Sequence, residues 1–505
     1  MARPLNFLRE RAAGERARFA ARPRVERVTL IWLAALFIAG ALLRLGLMYA
    51  VRPAFLGYSD IHVYLYAAAE LDEGTWFASK HQPNGYPMFV ELVHFVAAKI
   101  PLLILVQHVL GLVSGLLLYA TVRRAGGPPW LGLLPAAVIF LGGFQIFIEH
   151  APLSETLFVF CVAVALYACV RAMDRPRSWW PAAVGVAVGI APTVRTSGLT
   201  LVPLLLLWFL FEPGQRWKDR AVRAAVYALP VIVLLGTYVV AQHSVTGYTG
   251  LTRTGIWNLY GRAAPFADCD KFTPPKGTEV LCEDTPESER PGPAAYVYDI
   301  SRSPGLREFA GVSAPTEEGG AEVGSFARAA ILGQPLDYLS DVWKDLLRYP
   351  IGGSRASSMG LNWESFATAL AVGAEDPSRQ PADWSQPRQP TDYSPYYPNP
   401  GLAQKWGLLT PYRDWERATR IEGLLFILAF GLMALAPFMA PPGRLRRVAL
   451  LLALVTIVLM LTPIATLYYN ARFTIPVFGP LAAGAAIGGW SVATRIKASR
   501  PSGVA

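Results

Sequence analysis

Long apolar runs separated by short polar punctuation dominate the chain. Continuous apolar runs occupy about 28–50, 101–121, 129–148, 152–171, 179–193, 198–211, 222–242, 420–440, 448–467 and 473–494. A membrane-spanning helix needs about 20 such residues. The pattern predicts an all-α polytopic membrane protein with about ten transmembrane helices. A membrane β-barrel would show alternation, not continuous runs. The runs at 179–193 and 198–211 are short, so tilted or partly re-entrant helices are expected there.

One stretch breaks the pattern. Residues 244–417, between the seventh and eighth runs, are polar and rich in Pro and Gly. Helical periodicity within it is short, around 325–349 and 361–374. A loop-rich segment with a few helices is expected, without apolar periodicity enough for a large core of its own.

Charge orients the spans. Arg3, Arg9, Arg11, Arg16, Arg18, Arg22, Arg24 and Arg27 precede the first run, and most alternate connections carry further Arg or Lys clusters. The positive-inside rule then puts both termini in the cytoplasm and residues 244–417 outside. No small-residue cleavage site follows the first run, which is therefore read as an uncleaved span. The net charge of +10 resides at helix ends, so nucleic-acid binding is not implied. Only 16% of residues are charged, against roughly 25% in soluble domains, which excludes an ordinary soluble fold. The chain divides into a basic cytoplasmic N-terminus (1–27), a transmembrane module (28–243) with a first outer loop at 51–100, the extracytoplasmic segment 244–417, C-terminal transmembrane helices (418–495) and a cytoplasmic tail (496–505).

Cys161 and Cys169 fall within an apolar run and are read as packing residues. Cys269 and Cys282 lie in the polar segment; if it is extracytoplasmic, a disulfide between them is plausible.

This topology places Asp60, Glu149, His150, Glu155, Arg195, His243 and Arg472 on the outer face. Polar groups bordering spans are costly and usually functional. Each has a plainer alternative. Asp60 suits a helix N-cap, Glu155 suits the start of a span through the helix dipole, and Arg195 and Arg472 suit snorkelling to headgroups. Arg44 is the main charge inside a run and is placed within reach of an interface. A carboxylate at an apolar boundary deprotonates a hydroxyl well, and Arg holds phosphate through its fork. Lys80 and His81 at the end of the first outer loop are further candidates for phosphate or substrate contact, with a solvated surface as the alternative. His62 and Tyr86 are candidates for binding, against packing or interfacial roles. The run Glu70, Asp72, Glu73 reads as a solvated helix end, and a shallow helix is expected at about 86–98.

Together these residues resemble the GT-C superfamily of membrane glycosyltransferases, in its branch of protein O-mannosyltransferases and the lipid A aminoarabinose transferase. The motifs are Ser59-Asp60 followed by Tyr64, the Lys80-His81-Gln82-Pro83-Asn84-Gly85-Tyr86-Pro87 entry, Ser154-Glu155, Arg195-Thr196-Ser197-Gly198, and Tyr469, Arg472, Phe473 and Pro476. The likeness covers residues 28–243 and 468–480. It implies transfer of a sugar from a polyprenyl-phosphate donor to a hydroxyl of a glycan, lipid or protein acceptor on the outer side. Asp60 and Glu155 would be catalytic. Lys80, His81, Tyr86, Arg195, Arg472 and His62 would bind substrate. Many relatives carry a second acid directly after the first; here that position is Ile61. A divalent metal held by Asp60 and Glu155 is possible, and a metal-independent reaction in which Arg and Lys neutralise the phosphate is equally tenable. A lipid-linked sugar flippase, a membrane glycan ligase or polymerase, and a non-catalytic assembly protein are the rival readings.

Overall fold

The computed structural model describes residues 21–55, 60–79, 81–97, 99–174, 178–212, 215–309, 319–351, 403–404 and 406–499. Among them, six helices are long and apolar enough to cross a membrane: Arg24–Ala50, Ile100–Arg124, Glu155–Ala172, Trp217–Thr246, Arg444–Thr466 and Ala471–Ser499. Two bent pairs bring the count to as many as eight. The run expected at 129–148 is one of these pairs, Pro129–Leu141 and Gly143–Glu149, bent by 51°. The break falls at Gly142, whose ψ of 113° leaves the helical region, and the freed Gly143 N–H donates to Thr419 Oγ1 at 2.8 Å. Thr410–Ala418 and Gly423–Met439 form the second pair, bent by 47°. Trp180–Val194 and Thr196–Phe211 are apolar but short, as their sequence suggested. The chain is a multi-pass membrane protein with six to eight apolar spans among the described residues, fewer than the ten expected.

Small residues set the packing of the last span. The Gly423–Met439 helix lies against Ile475–Ser499. A Cβ at Gly488 would stand 1.9 Å from the Leu432 carbonyl oxygen, so only glycine permits this approach. Close backbone packing of this kind replaces the hydrophobic drive that lipid cannot supply. Among the described residues, the one departure from all-α structure is a two-residue antiparallel ladder, Val51–Arg52 against Ala403–Gln404.

Arg44 does not reach an interface. It is 1% exposed and forks onto Glu149, with Nε to Oε2 at 2.7 Å and Nη2 to Oε1 at 2.9 Å. Its other N–H groups donate to the carbonyls of Gly40, Phe140 and Ile139. Gly111 leaves the space that the Glu149 carboxylate fills. From Glu149 a buried chain continues to His108 Nδ1 at 3.0 Å, from His108 Nε2 to His150 Nδ1 at 3.2 Å, and from His150 Nε2 to the Val51 carbonyl at 3.1 Å. That carbonyl only accepts, so His150 Nε2 donates and its Nδ1 accepts from His108 Nε2. Phe55 N donates to the His150 carbonyl at 3.1 Å. The cluster thereby braces residues 51–55, the approach to Asp60.

Part of the polar segment builds a small core of its own. Trp257, Tyr260, Phe266, Tyr296 and Phe326 bury together on short helices, including Gly255–Ala263, Pro293–Tyr298 and Gly320–Gly333. Aromatic content supplied the burial that periodicity did not advertise. Helices at Gly320–Gly333 and Pro335–Leu346 answer the expectation around 325–349; the one at 361–374 lies outside the described residues. Tyr338 and Tyr349 tie this unit to the Arg444–Thr466 helix through the carbonyls of Ala465 and Met460.

Cys269 and Cys282 are joined as a disulfide, and Cys161 and Cys169 are buried and free. Alkylation of the denatured, unreduced chain should label two thiols, and four after reduction. Four labelled thiols without reduction would contradict this pairing.

Candidate active site

Four charged side chains from four separated segments meet at one end of the helix bundle. Asp60 stands at the N-cap position of Ile61–Asp72, yet makes no side-chain capping bond. Its Oδ2 instead accepts from Arg472 Nη2 at 2.9 Å. Arg472 belongs to a single 3-10 turn, Ala471–Thr474, which Asn470 caps by accepting from the Arg472 N–H at 3.0 Å. The same guanidinium reaches Glu155 Oε1 with Nη1 at 3.5 Å. Arg195 Nη1 approaches that oxygen at 2.7 Å. Arg195 is extended, with φ −147° and ψ 129°, where the Trp180–Val194 helix ends. The order is Asp60, Arg472, Glu155, Arg195, with alternating sign.

Burial gives this array its character. Glu155 opens the Glu155–Ala172 helix and has no exposed surface, whereas the Asp60 side chain keeps 19% of its own. Neither Glu155 oxygen completes a well-directed hydrogen bond among the described residues, although two guanidiniums lie at ion-pair range. The Glu155 carboxylate retains acceptor capacity. Arg195 also donates to Ser154 Oγ at 3.0 Å and lies over the Phe473 ring at 5.6 Å.

Phenols line the array. Tyr64 is hydrogen-bonded to Ser154 Oγ at 2.9 Å. Burial holds its hydroxyl well above the ordinary range, with Asp60 adding to the rise and Arg195 opposing it. Burial pushes Tyr468 up to about 12, Arg472 opposing and Asp60 adding. Tyr298, at the end of Pro293–Tyr298, is likewise raised by burial, then by Tyr468 and Asp60. All three stay protonated at neutral pH. Tyr298 and Tyr468 were not picked out from sequence. Tyr298 lies in the polar segment without a motif around it. Tyr468 adjoins the quoted Tyr469, which turns away to pack on Tyr349 at 5.0 Å.

The structure brings Asp60, Glu155, Arg195 and Arg472 together as expected and separates other candidates from them. Tyr86 is fully buried, edge-on to Tyr64 at 4.8 Å, and donates to Gln107 at 2.5 Å. It packs behind Tyr64. His81 is half-buried, and its carbonyl accepts from Thr254 Oγ1 at 2.7 Å. Lys80 and the side chain of His62 lie outside the described residues. Glu149 and His150 belong to the buried brace and not to the array.

The Arg472 guanidinium occupies the gap between Asp60 and Glu155 that a shared cation would need. Asp72, Glu91 and His94 are a separate group whose ligand atoms all lie within 4.8 Å of one another. That donor set is compatible with a divalent metal. Glu91 and His94 already contact each other at 3.1 Å.

On the far side of the Tyr469–Thr474 segment, an apolar cavity of about 340 Å³ is lined by Leu134, Val138, Ala471, Thr474, Phe478 and Leu481, among others.

Breaking the array should cost stability. Arg195→Gln leaves Glu155 buried beside Arg472 alone, and removing one partner of a buried pair costs on the order of 3 kcal/mol. Thermal unfolding in detergent should show this loss, largely recovered in Arg195→Gln/Glu155→Gln. Equal losses in both variants would mean the pair is not coupled.

Residues 81–240 match the family described as dolichyl-phosphate-mannose-protein mannosyltransferase. The chain is related to that family over this segment, which contains Glu155 and Arg195, and the resemblance expected from sequence is borne out there. No curated protein matches. Among solved structures, the Saccharomyces cerevisiae protein O-mannosyltransferase Pmt1–Pmt2 complex bound to the sugar donor aligns at 20% identity and a TM-score of 0.37, over 49% of this chain and 38% of that one. The Archaeoglobus fulgidus oligosaccharyltransferase AglB, in complex with an inhibitory peptide and a dolichol-phosphate, aligns at 13% identity and a TM-score of 0.45, over 95% of this chain and 53% of that one. The chain thus spans about half or less of the length of these matched chains.

Proposed function

We propose that the protein is an integral membrane glycosyltransferase of GT-C type. It would transfer a sugar from a polyprenyl-phosphate donor to an acceptor hydroxyl on a glycan, lipid or protein. The observation that carries this reading is the alternating array Asp60–Arg472–Glu155–Arg195 at the end of the bundle, beside phenolic donors. The related family over residues 81–240 supports the same reading.

In the resting array, Arg472 is bonded to Asp60 and weakens it as a base, because a guanidinium favours the ionised carboxylate. A donor phosphate competes for the Arg472 and Arg195 forks, which bind phosphate oxygens well. Arg472 would then turn from Asp60 toward the phosphate. Asp60, relieved of its partner, accepts the proton of the acceptor hydroxyl as that oxygen attacks the anomeric carbon. The bond from the anomeric carbon to the phosphate oxygen breaks, and the lipid phosphate leaves with the electron pair. Arg195 and Arg472 stabilise the charge that grows there. Glu155 keeps both guanidiniums in place. A single displacement gives inversion at the anomeric centre.

The apolar cavity beside Tyr469–Thr474 supports a place for the isoprenoid tail, since it shares the segment that carries Arg472. Tyr298 would carry the outer segment to the acceptor side of the reaction. The disulfide and the clusters of Arg at the opposite helix ends support a ten-span topology, with the array facing outward from the plasma membrane. The domain division at 28–243, 244–417 and 418–495 belongs to the same proposal. The buried Arg44–Glu149 pair does not favour a transport path, because its donors are spent on Glu149 and on carbonyls.

Purified protein incubated with a panel of polyprenyl-phosphate sugars should release lipid phosphate with at least one of them. Asp60→Asn should lower that rate by about 10²–10⁴-fold, the usual contribution of a positioned base. Transfer at an unchanged rate in Asp60→Asn would sink the assignment.

A further inference from the structure

The other end of the bundle carries a second charged cavity that sugar transfer does not use. Glu155 and Arg171 lie on one helix, so their sixteen-residue separation puts Arg171 about 24 Å from the active-site array. Around Arg171 is a cavity of about 1030 Å³, lined by Arg124, Arg171, Asp174, Ser178, Trp179, Trp180, Pro181, Val222, Arg223 and Val226. Its polar wall is strongly cationic. Asp174 is contacted by Arg124 at 3.3 Å, by Arg171 at 3.9 Å and by Arg444. Glu212 is contacted by Arg223 at 2.6 Å and by Arg447 at 3.1 Å. Of the groups that line the cavity, Arg124, Arg171 and Arg223 stand against the single carboxylate of Asp174, an excess of two positive charges among the described residues. Arg171 Nε and Ser178 Oγ are buried without a hydrogen-bond partner among the described residues.

Positive charge at helix ends is common in membrane proteins and by itself says only which way the chain inserts. Here the charge surrounds a cavity between helices, and the second wall is apolar. Trp179 and Trp180 stack at 4.2 Å, Arg171 lies over the Trp180 ring at 4.5 Å, and Val222 is exposed. A free phosphate would use only the arginines. A ligand with an anionic head and apolar tails uses both walls, and tryptophan sits well at the boundary between them.

We infer that this cavity, formed by Arg124, Arg171, Ser178 and the Trp179–Trp180 pair, binds the phosphodiester headgroup of an anionic phospholipid. The head lies against Arg124, Arg171 and Ser178, and the acyl chains run out past Trp179 and Val222. This inference does not depend on the sugar-transfer reading.

Native mass spectrometry of the full chain tests it, with phosphatidylglycerol and phosphatidylcholine offered at equal concentration. The wild type should retain phosphatidylglycerol in preference. Arg124→Gln/Arg171→Gln should bind it roughly thirtyfold more weakly, because each Arg near anionic lipid contributes about a factor of five. Ser178→Trp, which fills the cavity without changing charge, should lose the same binding. No preference in the wild type would overturn the inference, and this measurement does not require any variant to fold. Undiminished binding in the charge variant would also overturn it. Displacement of the lipid by millimolar inorganic phosphate would assign the site to a soluble anion instead.

Discussion

A carboxylate with no exposed surface must be paired, because an isolated buried charge costs several kcal/mol. Glu155 is that carboxylate, and much of this end of the bundle is organised by the requirement. It draws Arg195 from the end of one helix and Arg472 from a single turn near the end of the chain. Arg472 in turn reaches Asp60, which is more than four hundred residues away in sequence. The alternating array is thus a structural necessity before it is a catalytic one. Its chemistry follows from the same fact. In the proposed reaction, guanidiniums held by a buried acid would be poised for an incoming anion, and a base held by a guanidinium would stay quiet until that anion arrives.

The array rests on a scaffold that solves the same problem a second time. Arg44 and Glu149 are buried among apolar helices with their donors and acceptors taken up, in a space opened by Gly111. Through His108 and His150 this pair fixes the strand at Val51 and the backbone at Phe55. The approach to Asp60 is therefore set by interactions inside the bundle. Tyr86 and Gln107 extend the same framework to Tyr64, which borders the site.

The long apolar runs were legible in sequence because bilayer thickness imposes their length. Asp60, Glu155, Arg195 and Arg472 were legible too, since a charge beside a span is rare enough to demand a reason. What sequence could not show was pairing. Arg44 read as an interfacial residue because its partner Glu149 is 105 positions away. Tyr86 read as a candidate for binding or an interfacial aromatic, and it packs behind Tyr64. The span at 129–148 read as continuous, although Gly142 and Gly143 allow a sharp bend. The small core around Trp257, Tyr260 and Phe326 was not legible because it comes from aromatic residues on short helices, with no period long enough to register.

In the proposed reaction, Arg472 exchanges Asp60 for the donor phosphate. Equilibrium binding of a polyprenyl phosphate to purified variants tests it most directly. Asp60→Asn frees the Arg472 fork, so the account predicts binding at least as tight as wild type, while Arg472→Gln binds at least about tenfold more weakly, as loss of one charge-assisted contact implies. Equal weakening in both variants would contradict the exchange and leave Asp60 as part of the phosphate site's framework.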